Sequence, residues 1–271
     1  SCERKQGQII RGLKNWAKNY TYKAEEVRYP EDIVNLSKLL KSHPKVKALG
    51  TQHCFNDIAD TSGMQLSTKN LNSIIELNHE FSYVIVEAGI KYGDLGVELH
   101  SNGWALHNLA SLPHISVGGS FATATHGSGV RNGNLATALL GFELLTPGGD
   151  LLWVDQQTNT DLFYAGGVSM GALGIMTKVK LSVQPTFEVS QRVYENLSMG
   201  NLKYNFDNIM SEGYSVSFFT HWLDKNINQV WVKSREDELG KNFSDFYGAT
   251  PAAVDLHPIK ANSPINCTPQ M

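Results

Sequence analysis

The sequence predicts an α+β fold made of two domains. Helical and strand patterns are mixed along the chain, without the regular spacing of repeated βαβ units. After Pro185 glycine becomes rarer and aromatic residues become more frequent, which indicates a boundary near residues 184–186. The chain has 271 residues, of which 41% are hydrophobic, so it can bury a sizeable core in one large or two smaller domains.

Helix and strand signals can be assigned in order up to Pro185. Residues 1–18 look helical and basic. A helix begins after Pro30, with acidic residues in its first turn, and ends at His43–Pro44. The remaining predicted elements are a strand at 45–49, a loop at 50–54, a strand at 81–86, a helix at 91–101, a hairpin at 142–155, a short helix from 161 and a strand at 175–183.

The second domain is predicted to contain three strands, at 187–194, 214–220 and 229–233, and a helix around 202–210. The tail after Tyr247 has the composition of a loop. Because this tail simply stops at Met271, we expect the second domain to be truncated. The chain begins at Ser1 without an initiator Met, which leaves open the removal of an N-terminal targeting segment.

Composition excludes several classes of protein. The net charge of −3 argues against a protein that coats nucleic acid, and the charged fraction of 18% is too low for a disordered chain. No apolar run approaches the roughly 18–20 residues of a membrane span. Three widely spaced cysteines form neither a disulfide framework nor a metal-binding pair, so we expect a reduced, cytoplasmic protein that acts as a monomer. Five N-x-[ST] sequons, beginning at Asn19, raise the alternative of a secreted protein only slightly.

The segment from Val117 to Gly129 consists almost entirely of small residues. Small side chains let a ligand approach the backbone, and consecutive N–H groups can then bind phosphate oxygens. Tight packing of a helix on a strand would explain the same composition. The segment does not match the dinucleotide pattern G-x-G-x-x-G, because Asn132 stands where the third glycine belongs, and no P-loop occurs.

The histidines form no recognisable catalytic pattern by themselves. There is no H-E-x-x-H motif, so no metal is expected, and no G-x-S-x-G elbow for a hydrolase. A single loop histidine such as His53 is more often structural than catalytic.

Three stretches resemble the vanillyl-alcohol-oxidase-type FAD proteins. The run from Gly50 through His53 to Ala59 is similar to the flavin-loop pattern G-x-G-H-S-F-N, residues 108–129 to a stretch that faces the pyrophosphate, and residues 171–177 to a third stretch. Four further segments agree best with the alditol oxidase branch: Asn15–Ala17, Tyr214–Thr220, His257–Pro258 and Asn266–Thr268. The sugar-lactone oxidases are related but more often have Ser-Pro after the flavin histidine.

The resemblance implies a PCMH-type FAD-binding domain of two α+β subdomains at residues 1–184, followed by the first part of an α+β substrate or cap domain at 185–271. It also implies FAD bonded covalently to His53, a substrate-side catalytic residue at Ser111, and space for oxygen beside Ala110. The other residues that it implies around the cofactor are Ala48, Leu49, Gly50, Thr51, Gln52, Cys54, Ser116, Gly119, Ala122, Thr123, Ala124, Thr125 and Ile175.

The function that the resemblance implies is oxidation of the C1 hydroxyl of xylitol or sorbitol, with release of hydrogen peroxide. A sugar-1,4-lactone oxidase and a truncated flavin-binding module without turnover are the alternatives. Two positions depart from the family pattern: Thr51–Gln52 replaces Ser-Gly, and Cys54 replaces the usual Ser. The Glu, Arg, Thr and Lys that act on substrate in relatives map to no positions of this sequence.

Overall fold

The computed structural model describes residues 12–236 and 245–263, which belong to two compact units. The first unit comprises residues 12–109, 113–125 and 134–184. The second comprises residues 110–112 and 126–133 together with the described residues from 185 onwards. Residues 110–112 and 126–133 therefore belong to the second unit although the residues on both sides of each segment belong to the first.

The first unit mixes short helices with two kinds of sheet. In chain order its elements are β1 (Glu26–Arg28), α1 (Ile33–Ser42), β2 (Val46–Leu49), β3 (Met64–Ser67), β4 (Ile74–Asn78), β5 (Tyr83–Glu87), α2 (Tyr92–Ser101), β6 (Trp104–Ala105), α3 (Val117–Ala122), a 3₁₀ turn (Leu135–Ala138), β7 (Leu139–Leu145), β8 (Leu151–Asp155), α4 (Thr160–Gly166) and β9 (Ile175–Ser182). A two-residue strand, β10 (Gln184–Pro185), follows at its end.

A three-stranded parallel sheet has the order β1-β3-β2. All four residues of the central strand β3 are buried, as expected for a parallel strand covered on both faces. Helix α1 lies between β1 and β2 in the chain. It is capped by Asp32, whose Oδ1 accepts the Asn35 N–H at 2.7 Å, and it buries Leu36 in a cluster with Met64 and Leu66.

A five-stranded antiparallel sheet has the order β4-β5-β9-β7-β8. The central strand β9 buries alternate residues from Ile175 to Leu181, which is the two-residue periodicity of a strand. The hairpin between β7 and β8 closes at Gly149, whose φ of 87° lies in the left-handed region that glycine adopts easily.

The second unit contains β11 (Val189–Ser198), α5 (Met199–Met210), β12 (Ser215–Phe219), β13 (Asn226–Arg235) and β14 (Thr250–Pro251). Its antiparallel sheet has the order β12-β13-β11-β14. The core of this unit includes Ile209 of α5, and the rings of Tyr194 and Phe246 stack in it with centroids 4.3 Å apart.

The predicted α+β class is confirmed, and so are the helices and strands predicted between residues 31 and 235, with ends shifted by a few residues. The helix predicted at 1–18 is wrong for residues 12–18, and residues 1–11 lie outside the described part of the chain. There the backbone reverses between Lys14 and Thr21, which form an isolated antiparallel bridge, and Lys18 has a φ of 62°. The tail predicted to be a loop contains β14. Strands β1, β3 and β4 and helix α3 were not predicted. Within the described ranges, no helix combines the length and apolar character needed to cross a membrane.

Candidate functional site

The histidine loop, residues 50–54, leaves the carboxyl end of β2 in the parallel sheet. Ligands commonly bind at this end of parallel strands. Gln52 has a φ of 67°, a left-handed conformation that costs a non-glycine residue about 1–2 kcal/mol. Its carbonyl accepts the Trp16 N–H at 2.8 Å. The loop therefore keeps a glycine-like backbone at the position where the family pattern has glycine.

Two asparagines of the N-terminal segment hold the histidine loop by its carbonyl groups. Asn15 is 2% exposed, and its Nδ2 donates to the Cys54 carbonyl at 2.9 Å and to Asn19 Oδ1 at 2.6 Å. Asn15 Oδ1 accepts the Tyr20 N–H at 3.0 Å, and Asn19 Nδ2 donates to the Phe55 carbonyl at 2.9 Å. No local pattern marks these side chains, because their partners lie 39 and 36 residues away in sequence.

His53 is half-buried and belongs to a cluster of three aromatic rings. Its Nε2 lies 2.7 Å from His114 Nε2 and its Nδ1 lies 3.0 Å from Thr51 Oγ1, while the Trp16 ring stacks on it with centroids 5.1 Å apart. Burial, followed by the charge of His114, lowers the pKa of His53 to about 4, and a hydrogen bond with the Thr51 backbone acts in the opposite direction. At neutral pH the His53 ring is therefore uncharged and has one nitrogen with a free electron pair.

The start of the small-residue segment packs closely on the histidine loop. The Ser116 N–H donates to Thr51 Oγ1 at 3.4 Å. A Cβ atom added to Gly119 would lie 2.9 Å from Ser116 Oγ, and one added to Gly50 would lie 3.2 Å from the same oxygen. Small residues at these positions are thus required by packing within the protein, which is the alternative explanation for this composition.

Residues 122–125 end helix α3 in a turn that presents hydroxyl groups. Ala124 has a φ of 55°, and the Thr125 N–H donates to the Ser120 carbonyl at 3.1 Å. The exposed Thr123 side chain donates to the Gly119 carbonyl at 3.1 Å, and its Oγ1 lies 3.4 Å from Thr125 Oγ1. Because the hydrogen of Thr123 is used by the Gly119 carbonyl, the Thr125 hydroxyl is the member of this pair that can donate to an anionic ligand.

The remaining predicted site residues have other surroundings. The side chains of Leu49 and Ile175 are buried in hydrophobic clusters and Ala48 packs against one of them, so these three can offer a ligand only their backbone. Burial raises the pKa of the Cys54 thiol, which is free. Ser111 is exposed and belongs to the second unit, whereas all the other predicted site residues belong to the first. Among the described residues, no group of three or more His, Cys, Asp or Glu side chains is arranged to hold a metal ion.

Comparison with known proteins gives consistent matches to flavoproteins. Residues 25–155 match the family described as FAD binding domain. The chain is 39% identical over 260 residues to alditol oxidase of a Streptomyces species, which covers 94% of this chain and 61% of that protein. It is 31% identical over 228 residues to L-gulonolactone oxidase of Mus musculus, covering 81% of this chain and 50% of that protein. A putative D-arabinono-1,4-lactone oxidase of Neurospora crassa is 31% identical over 181 residues, or 65% of this chain and 33% of that protein.

The chain carries a PCMH-type FAD-binding domain. FAD is the cofactor of this domain, as the histidine loop and the small-residue segment predicted. The chain spans 61% of the length of alditol oxidase and about half of that of the mouse lactone oxidase.

The residues of the FAD-binding domain fit an anionic dinucleotide. Ser116 Oγ is buried and has no hydrogen-bond partner among the described residues, and it lies beside the backbone of Gly50 and Gly119. A buried hydroxyl without a partner costs free energy unless a ligand or water satisfies it. The backbone of the loop, the hydroxyls of the small-residue segment and the uncharged His53 ring are the groups that FAD can contact.

Proposed function

We propose that the protein is an FAD-dependent oxidase of sugar alcohols. It removes a hydride from the C1 carbon and a proton from the C1 hydroxyl of xylitol or sorbitol, and reduces dioxygen to hydrogen peroxide, leaving the aldose. The observation that carries this proposal is the identity of 39% over 94% of the chain with a protein named alditol oxidase, against 31% over 81% for a named lactone oxidase.

FAD, when bound, supplies the hydride acceptor and passes the electron pair on to dioxygen. In our proposal His53 is bonded covalently to the 8α carbon of the flavin, and the backbone of residues 48–54 surrounds the ring system. The uncharged state of His53 supports this assignment, because only a nitrogen with a free electron pair can form such a bond.

The small-residue segment binds the rest of the cofactor in this proposal. Ser116, Gly119 and residues 122–125 hold the pyrophosphate and ribityl groups, and Ile175 offers its backbone to the adenine end. The unpartnered Ser116 hydroxyl and the Thr125 hydroxyl support this part of the proposal.

Ser111 is proposed to contact the substrate and to act in the reaction, with the small side chain of Ala110 leaving room for dioxygen. In our proposal residues 1–184 form the cofactor domain and residues 185–271 belong to the substrate domain. We also propose that the protein is a cytoplasmic monomer that acts on a small polyol, in keeping with cysteine spacings that do not form a disulfide framework.

Lactone oxidation is the second candidate function, because gulonolactone and arabinonolactone oxidases also match the chain. The two substrates present different groups to the site: a primary alcohol in a polyol and a hydroxyl next to a ring carbonyl in a lactone.

Measuring hydrogen peroxide release by the purified protein with xylitol, sorbitol and gulonolactone tests the proposal. We expect release with the two polyols, and we expect Ser111→Ala to lower kcat far more than it lowers the amount of bound flavin. Turnover of gulonolactone without any response to the polyols would select the lactone oxidase. A yellow protein that turns over neither class would support a flavin-binding module without activity.

A further inference from the structure

His114 makes the shortest polar contact of the His53 side chain, yet the proposed function gives it no role. Its Nε2 lies 2.7 Å from His53 Nε2, and the two ring centroids are 4.6 Å apart. At this distance one of the two Nε2 atoms carries a proton and the other accepts it, so a single hydrogen bond joins the two rings. The Thr51 hydroxyl is 3.0 Å from the other nitrogen of His53.

The position of His114 is fixed by its own backbone neighbours. The carbonyl of Pro113 accepts the Gly93 N–H at 2.7 Å, and the carbonyl of Ile115 accepts the Tyr92 N–H at 3.1 Å. Both donors belong to the first turn of α2, which the structure anchors by burying the Tyr92 side chain. The backbone on both sides of His114 is therefore held by hydrogen bonds. A proton acceptor needs such support to stay aligned with its donor.

Attachment through Nδ1 requires one arrangement of the protons. His53 must carry its proton on Nε2 and donate it to His114 Nε2, which lies 2.7 Å away. The Thr51 hydroxyl, 3.0 Å from Nδ1, can act as donor or acceptor and is compatible with this arrangement. This arrangement leaves an electron pair on His53 Nδ1 and places a proton acceptor at the opposite side of the ring.

We propose that His114 is the proton acceptor that enables His53 to bond to FAD. The inference rests on the proposed covalent attachment at His53. Alkylation of one imidazole nitrogen makes the ring cationic unless the other nitrogen loses its proton. A cationic ring is disfavoured at His53, whose pKa burial and the charge of His114 lower to about 4.

The attachment step balances as follows. One N–C bond forms between His53 and the 8α carbon, and one C–H bond of the flavin methyl group and the N–H bond of His53 break. Two protons leave, and the one from His53 passes to His114 Nε2. The two electrons of the broken C–H bond remain on the flavin and are removed by dioxygen, the oxidant of the proposed reaction, which forms hydrogen peroxide.

Attachment kinetics test this role without measuring turnover. Flavin-free protein is mixed with FAD in air, samples are precipitated with acid over time, and the flavin that stays in the pellet is measured. We expect His114→Ala and His114→Gln to attach FAD about a hundredfold more slowly than the wild type, while quenching of FAD fluorescence on mixing shows that both still bind it. The Gln side chain can hydrogen-bond to His53 but cannot take up a proton.

Two controls separate a proton acceptor from a structural residue. Added imidazole should accelerate attachment in His114→Ala and leave the wild type unchanged. His79→Ala removes a histidine of the same unit that accepts the Trp104 indole N–H at 2.8 Å, and should attach FAD at the wild-type rate. Attachment by His114→Gln at the wild-type rate, or no effect of imidazole on His114→Ala, would overturn the role of His114. Wild-type flavin that all dissolves in acid would overturn the attachment at His53 and this inference together.

Discussion

Replacing Asn15 with alanine should loosen the N-terminal segment from the histidine loop and destabilise the first unit. The substitution removes three hydrogen bonds, to the Cys54 carbonyl, to Asn19 Oδ1 and from the Tyr20 N–H. A typical hydrogen bond contributes about 0.5–1.5 kcal/mol, and the Cys54 carbonyl and Tyr20 N–H also lose their partner. We expect the free energy of unfolding to fall by about 2–4 kcal/mol. At about 2–4 °C per kcal/mol for a unit of this size, the unfolding temperature should fall by about 5–15 °C.

Thermal unfolding followed by circular dichroism measures this change, with two matched variants. Asn15→Asp has the same shape but places a carboxylate oxygen against the Cys54 carbonyl, so at pH 7 it should be at least as unstable as Asn15→Ala. Asn72→Ala removes an exposed asparagine of the same unit and should stay within about 0.5 kcal/mol of the wild type. An Asn15→Asp protein as stable as the wild type would refute the hydrogen-bond argument and attribute the effect to packing.

Three further predictions concern the histidine loop and the backbone around it. Gln52→Gly should raise the free energy of unfolding by up to about 1 kcal/mol, and Gln52→Val should lower it. The reason is that a φ of 67° is strained for residues with a side chain and most of all for β-branched ones. Urea denaturation measures both variants, and stabilities equal to that of the wild type would contradict the strain. Gly89→Ala would place its Cβ 1.8 Å from the Thr68 carbonyl oxygen and should cost about 3 kcal/mol, whereas Gly96→Ala, with no atom within 4 Å, should stabilise helix α2 by about 0.5–1 kcal/mol in the same assay. The pKa of His53 is about 4 in the folded protein and 6.5 ordinarily, so its contribution to stability is present above pH 6.5 and is lost as the pH falls towards 4. The unfolding temperature of the wild type should therefore decline more steeply across this pH range than that of His53→Gln. Parallel curves of unfolding temperature against pH would contradict the burial of a neutral His53 ring.

The fold could be predicted from the sequence wherever one face of an element is apolar over several turns or alternations. Helix α1 has apolar residues at helical spacing behind an Asp32 cap, and β9 alternates buried and less buried residues over its whole length. Strand β3 has only four residues, all buried, so no alternation marks it. Residues 12–18 were predicted to be helical, but the Asn15 side chain accepts the Tyr20 N–H of a reversing chain instead, as asparagine often does outside helices.

The candidate site could be predicted only in part, for a physical reason. His53 and the small-residue segment were found because each is a short contiguous motif that resembles a flavin family. The partners that set the state of His53 lie elsewhere: His114 is 61 residues away in sequence, and Asn15 reaches the Cys54 carbonyl across 39 residues. Such contacts depend on the packing of β2, α2 and the N-terminal segment, which no local pattern encodes.

Peptide mapping of the flavin-containing protein tests the central claim, that the histidine loop is the flavin site and His53 the point of attachment. Trypsin cleaves after Lys47 and Lys69 and releases residues 48–69 as one peptide, which contains His53 as its only histidine. We predict that this peptide carries the mass of one FAD and its fluorescence, and that the corresponding peptide of His53→Ala carries neither. An unmodified peptide 48–69 from a yellow wild-type protein, or FAD attached to a different peptide, would contradict the account.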